Sequence, residues 1–200
     1  DYLEKKGVDY AGARAESGEF SSFTLRDGIP EVSSFGDSSG IGVRFSVKNN
    51  IGFVAINDFD KDKIRELLDK SLNLTIKSHK IAEKIKFSES KALKGNTKII
   101  QRTDIRDVDP SYKFKLVNDL NKNLESDHKY FSLSDGYVKK YYVNTEGSKI
   151  YSELPRISFF YFLTLKEKGN VIQRYLQHGG VGGYELFKKG ELEKEINAEL

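Results

Sequence analysis

Cysteine and methionine are both absent from these 200 residues. Without thiols there is no disulfide framework, no thiolate nucleophile and no thiolate metal ligand in this chain. Histidine is scarce as well. His79, His128 and His178 lie far apart, and no HExxH pair exists to set two imidazoles on one helical face. No apolar run approaches the roughly 20 residues that a membrane helix needs. The opening DYLEKKG contains no secretory apolar core. There is no Gly-x-Ser-x-Gly elbow to expose a nucleophilic serine. The glycines of Gly36–Gly42 lead into the strand-like GIGVRFSV. A phosphate-cradling loop must lead into a helix N-terminus instead, so these residues read as a turn.

Charge is what the chain has in abundance. Lys and Arg number 33 against 30 Asp and Glu, for a net charge of +3, and the mean hydropathy is −0.56. The two signs are interspersed, which describes a solvated surface; a nucleic-acid face needs its positive charge concentrated. The lysine-rich stretches Lys77–Lys86 and Lys91–Lys98 read as a helix end and a loop. Composition therefore points to a soluble cytoplasmic chain with no membrane partner, and it argues against nucleic acid. Abundant Lys, Glu and Ile without Cys is compatible with a thermophilic source.

Strand and turn signals dominate the first half. Val8–Ser17 and Glu19–Arg26 read as strands rich in β-formers. Arg26-Asp27-Gly28 supplies the positive φ of a tight hairpin. Ile29–Phe35 follows, then a turn at Gly36–Ser39, the strand Gly40–Val47, a turn at Lys48-Asn49-Asn50 and the strand Ile51–Asn57. A helix starts at Asp58 or Asp60, with its buried stripe on Ile64, Leu67, Leu68, Leu72, Thr75 and Ile76, and runs to about Ile85. Phe87–Val108 has no clean period and reads as a linker, with an extended piece at Lys98–Gln101. Asp109-Pro110 is an N-cap followed by Pro at the first helical position, and Phe114, Val117, Leu120 and Leu124 give that helix its stripe. The second meander reads as Lys129–Ser134 and Tyr137–Asn144 joined by Asp135-Gly136, then Ser148–Glu153, Arg156–Lys166 and Val171–His178.

Short strands joined by tight turns, with few helices, predict an α+β fold of antiparallel sheets with helices packed on one face. Gly40–Asp58 and Ser158–Glu185 repeat one order: strand, polar turn, strand, Gly with an aromatic, charged helix. This suggests two similar sheet-plus-helix halves, residues 1–86 and 109–200 around a linker at 87–108, with Gly52-Phe53 equivalent to Gly183-Tyr184. Asp1–Lys6 reads as the end of a helix stopped at Gly7, and Gly190–Leu200 as a helix cut in progress. The chain thus reads as a piece of a longer protein.

Individual residues carry little chemistry. His178 stands beside Gly179-Gly180, where another backbone can approach closely, although an exposed strand-end histidine explains it as well. Phe159-Phe160-Tyr161-Phe162 reads as a central strand buried on both faces rather than a base-stacking platform. Asn144–Gly147 and Gly179–Glu185 have little side-chain bulk. They suit either backbone pairing with a peptide or partner strand, or bulges and tight turns.

An ordered set of local patterns resembles the N-terminal domain of the TldD/PmbA family, the modulators of DNA gyrase. It comprises Asp9-Tyr10-Ala11 with Arg14, Arg26-Asp27-Gly28, Gly40-Ile41-Gly42-Val43-Arg44-Phe45, Gly52-Phe53 with Asn57-Asp58, Asn144-Thr145-Glu146-Gly147 and Gly182-Gly183-Tyr184-Glu185. The last of these is more similar to the TldD branch than to the PmbA (TldE) branch. Ile51 departs from the pattern, since many members carry Trp there. The resemblance implies a zinc-dependent peptidase acting on small or unfolded peptides, working as a homodimer or as a heterodimer with a family paralogue around a chamber. The family's His-Glu-three-residue-His metal helix is absent from this sequence, so no catalytic or metal residue is assigned. Gly182, Gly183, Tyr184 and Glu185 are the candidates for the substrate chamber, with Glu185 reaching across to the catalytic half. A non-catalytic PmbA-like partner, a peptide-binding module and a nucleic-acid-associated protein are the alternatives.

Overall fold

The structure, a computed structural model, describes all residues except 79–84, 86, 89, 188 and 200. His79 therefore lies outside the described residues. The described residues form seven strands and three helices: β1 (Tyr10–Arg26), β2 (Ile29–Val47), β3 (Asn50–Ile56), α1 (Lys61–Ser78), β4 (Lys94–Lys98), α2 (Pro110–Asn123), β5 (His128–Asn144), β6 (Lys149–Glu167), β7 (Asn170–Val181) and α3 (Lys189–Glu199). The strands form one sheet in the order β3-β2-β1-β5-β6-β4, with β7 also paired to β6. The α+β class with antiparallel pairing holds. The chain folds into two compact units: residues 1–17, 38–97 and 139–153 form the first, and residues 18–37, 98–138 and 154–200 the second.

The strongest turn signals are the ones the structure keeps. Asp27 and Gly28 have φ of 50° and 81°, and Lys48 and Asn49 have 53° and 64°, the left-handed pairs that two-residue hairpins demand. Gly7 caps a short 3-10 turn at φ 78°, as a glycine just past a helix end should. Asp109 accepts a hydrogen bond from Ser111 N at 2.7 Å to open α2. Asp60 accepts from Asp62 N and Lys63 N, both at 3.0 Å, to open α1.

In the first unit α1 lays Leu68 and Leu72 on Val43, Phe45 and Val47 of β2, with Leu3 closing the cluster. Gly52 leaves the space that the Phe45 ring and the Thr75 hydroxyl occupy; a Cβ there would stand 2.2 Å from Phe45 and 2.6 Å from Thr75. In the second unit α2 places Leu116, Val117 and Leu120 on Phe131, Leu133, Phe159 and Tyr161, and α3 adds Leu192 and Ile196. β6 and β7 pair from Arg156↔Val181 to Glu167↔Asn170.

Several expected boundaries are wrong, each for a local reason. Gly36–Ser39 is not a turn but the middle of β2, whose residues 29–39 are all exposed; a hairpin arm that buries neither face needs no apolar alternation. Asp135-Gly136 is likewise inside β5. Gly136 is there because Phe20 packs where its Cβ would be, 2.7 Å away, and Asp135 is there to meet a buried cation described below. Val8–Ser17 with Glu19–Arg26, and Ser148–Glu153 with Arg156–Lys166, are also single strands. The extended piece of the presumed linker lies at Lys94–Lys98 rather than 98–101. The helix α1 is described as far as Ser78, and the stretch 79–84 over which it is expected to continue towards Ile85 lies outside the described residues. Phe159–Phe162 alternates: residues 157, 159, 161 and 163 are buried, while 158, 160 and 162 are half-buried, so one face alone reaches the core. Gly52-Phe53 lies within β3, whereas Gly183-Tyr184 enters a 3-10 turn after β7. The two pairs are not equivalent. Both glycines permit close approach, but Phe53 is 61% exposed while Tyr184 is buried.

Candidate functional site

The segment Gly182–Glu185 is folded against the stretch 101–106 of its own unit. Tyr184 N donates to Thr103 O at 2.9 Å, and Glu185 accepts from Thr103 N at 2.9 Å and from Gly183 N at 3.2 Å. Those backbone amides hold the Glu185 carboxyl below its usual range. Gly183 has extended backbone, φ −90°; it is glycine because a Cβ would stand 2.3 Å from Thr103 O and 2.8 Å from Gln101. Tyr184 is buried, and its hydroxyl finds no hydrogen-bond partner among the described residues. Burial, first of all, and then the charge of Asp135 push that phenol well above its ordinary range. The four residues thus form a buried anchor whose acid already serves its own chain.

The same stretch 101–106 is held from two further directions. Asp104 and Arg106 pair at 2.6 Å, and the Arg106 guanidinium lies 3.8 Å from the centre of the Tyr137 ring. The hydrogen bonds from Arg106 depress the Asp104 carboxyl to about 2. Because the folded-state value lies below the roughly 3.9 of an unfolded aspartate, the contribution is complete above about pH 4. It is lost as pH falls towards about 2. The Asp104 side chain is one-quarter exposed, so the amount is on the order of 1–2 kcal/mol. Acid-unfolding curves of Asp104→Asn are expected to lie below the parent at neutral pH and to converge with it near pH 2. A constant offset through that window would refute the assignment.

Beneath this stretch lies the group that the sequence concealed. Lys113 of α2 points inward and pairs with Asp135 of β5 at 2.7 Å, the two side chains only 5% and 6% exposed. Its ammonium also donates to Ile105 O at 2.9 Å and to Ser21 at 3.2 Å, and Ser21 donates to Asp135 at 2.8 Å. Ser21 and Asp135 line a cleft of about 480 Å³ with Phe20, Phe35, Val138 and Arg156. A serine near a lysine suggests a nucleophile with its base. Here, however, the serine proton is committed to a carboxylate and the lysine to a carboxylate and a carbonyl, so the cluster is a buried ion pair. The one signal for it in the sequence was a lysine at position 113, next to the apolar stripe Phe114, Val117, Leu120.

In the first unit, the face of the sheet opposite α1 carries alternating polar residues. The Tyr10 and Tyr142 hydroxyls meet at 2.9 Å above Gly12, where a Cβ would stand 2.9 Å from one and 3.1 Å from the other. Two adjoining clefts of about 570 and 310 Å³ open there and share Arg14, Gly42 and Phe53. The turn Asn144–Gly147 also belongs to this unit. Thr145 N donates to Ala11 O at 2.9 Å, Ala11 N returns a bond to the Thr145 hydroxyl at 3.1 Å, and Asn144 accepts from Ser148 N at 2.8 Å.

The two described histidines do not share a site. His128 lies 3.3 Å from Asp27, and His178 stacks on Tyr161 with Glu195 3.7 Å away. No group of three His, Asp or Glu among the described residues is placed to hold a metal ion. Zinc thus has no fitting donor set among the described residues. No described helix is long and apolar enough to cross a membrane.

Comparison with known proteins gives a consistent set of likenesses. Two family models match, the PmbA/TldA metallopeptidase domain 1 over residues 11–75 and the PmbA/TldA metallopeptidase central domain over residues 103–199. The metalloprotease MJ0996 of Methanocaldococcus jannaschii is 33% identical over 195 residues, which is 95% of this chain and 43% of that protein. The chain therefore spans less than half the length of that relative. Among solved structures, a protein named as a modulator of DNA gyrase from Bacteroides thetaiotaomicron superposes with a TM-score of 0.78 at 18% identity, over 98% of this chain and 47% of that one. TldE from Thermococcus kodakarensis gives 0.70 at 8% identity, over 98% and 46%. At such identities these two speak to the fold alone.

Proposed function

We propose, from the premise that this chain belongs to the TldD/PmbA metallopeptidase family, that it forms the scaffold and substrate-chamber part of a zinc-dependent peptidase acting on small or unfolded peptides. The observation that carries the reading is the pair of matches to domain 1 and the central domain of that family. The zinc ligands would lie in the part of the relative's length that this chain does not span, where the metal would polarise the scissile carbonyl. The contribution of these residues is shape and contact. Gly182–Glu185, pinned to residues 101–106, is a rigid rim for the chamber, and the sheet supplies surface on which an extended peptide lies. The assembly would be a homodimer or a heterodimer with a family paralogue, in the cytoplasm.

The test is a photo-reactive unfolded peptide irradiated on the full-length product of the gene encoding this chain, with attachment sites mapped by mass spectrometry. Attachment within residues 1–200, including the neighbourhood of Gly182–Glu185, is expected. Attachment confined to other residues, while the peptide is still cleaved, would remove the chamber role.

A further inference from the structure

The face of the first unit's sheet opposite α1 has a chemistry of its own, with Phe87 packed edge-on against Tyr10 at one end, ring centres 5.1 Å apart. In the β2–β3 ladder Arg44 stands opposite Phe53 and Gly42 opposite Ala55, while Val43, Phe45 and Val47 point the other way into the core under α1. Strand alternation therefore fixes Gly42, Arg44, Phe53 and Ala55 on the open side. Tyr10, Gly12, Arg14 and Glu16 continue that side on β1. Glycines at 12 and 42 keep the floor low, and Phe53 stands up from it, 61% exposed. The result is a trough across the strands, made of the two adjoining clefts.

The trough mixes charged and hydroxyl groups with apolar wall, Ile41, Phe53, Ala55 and Ile56 among its lining. Its 310 Å³ part is lined by Arg14, Arg44, Phe53, Gly42 and the Tyr10–Tyr142 hydroxyl pair, with no acid in its wall. Arg44 is exposed, and no carboxylate among the described residues pairs with it. The Tyr142 phenol is shifted upwards by burial and by its bond to Tyr10, so it stays protonated at neutral pH. The Arg44 guanidinium, beside Arg14 and the hydroxyl pair, offers donors to a planar anion, while Arg14 also faces Glu16 at 3.6 Å. The 570 Å³ part is different. It contains Glu16, which sits 3.6 Å from both Arg14 and Lys140, together with Asn57 and the strand glycines. A polyphosphate backbone would set one of its charges against Glu16. A peptide with one carboxylate at one end and neutral or basic residues following would not.

We infer that this trough binds an extended peptide by a carboxylate, an acidic side chain or the C-terminus, held by Arg44 and Arg14, with Phe53 against the next side chain. The inference rests on the peptide reading above and adds a charge preference to it. The probe is a rhodamine-labelled alanine peptide ending in aspartate with a free C-terminus, compared by fluorescence anisotropy with its asparagine amide, on the full-length gene product. Loss of charge-assisted contacts is expected to weaken binding of the amide about 10-fold or more. In Arg44→Gln that ratio should collapse towards one, with the thermal melt unchanged because Arg44 is exposed. Equal binding of the two peptides to the parent protein overturns the inference while leaving peptide binding intact. Failure of both peptides to bind or be cleaved overturns the peptide reading and this inference together. Tighter, Arg44-dependent binding of a single-stranded oligonucleotide would assign the trough to nucleic acid instead and overturn the peptide assignment.

Discussion

Replacing Lys113 by alanine is expected to destabilise the protein by about 3–5 kcal/mol, the usual cost of removing one partner of a buried ion pair. The Asp135 carboxylate would be left at 6% exposure with only the Ser21 hydroxyl to hold it, and Ile105 O would lose its donor. The missing methylenes would leave a hole beside Ile105 and Leu116 as well. Urea denaturation with unchanged slope and a lowered midpoint would report the loss. The control is the double variant Lys113→Met with Asp135→Asn, which removes both charges at similar volume. It should recover most of the stability, since the pair's attraction roughly offsets its desolvation. A Lys113→Ala protein within about 1 kcal/mol of the parent would mean that water reaches the cluster and that it is not a buried pair.

The contrast between this lysine and its neighbours shows where sequence reasoning reaches and where it stops. Asp27-Gly28 and Asp109-Pro110 are local: the backbone geometry each requires is dictated by the residues themselves, and both stand where expected. Asp135-Gly136 presents the same letters as a hairpin turn, yet it lies inside β5, because its glycine accommodates Phe20 and its aspartate neutralises Lys113. Neither partner is near it in sequence. Gly36–Ser39 misleads in the opposite sense, as a strand with no buried face carries no alternation to betray it. The apparent repetition of strand, glycine, aromatic and helix likewise joins two different devices: Gly52 admits Phe45 beneath the sheet, and Gly183 admits the carbonyl of Thr103.

The candidate site was legible in part. Gly182–Glu185 is a structured, tightly packed segment, and what the sequence did not reveal is that Glu185 is engaged by Thr103 and Gly183 of its own chain. Arg14 and Arg44 were visible as members of the family pattern. Their common trough became apparent only with the register Arg44↔Phe53 and the hydroxyl contact between Tyr10 and Tyr142, which are separated by more than a hundred residues.

Zinc-dependent peptide cleavage is tested most directly by comparing this 200-residue chain with the full-length product of its gene in one assay. Both proteins are purified, stripped with a chelator and reconstituted with zinc. Metal content is then measured alongside cleavage of an unfolded peptide. The full-length product should retain about one zinc per chain, as a catalytic three-ligand site does, and cleave the peptide until the chelator is restored. The 200-residue chain should retain none and cleave nothing, because its described residues bring no three donors together. Stoichiometric zinc and peptide cleavage by the 200-residue chain on its own would contradict the account, and so would a full-length product that holds no metal and cleaves no peptide.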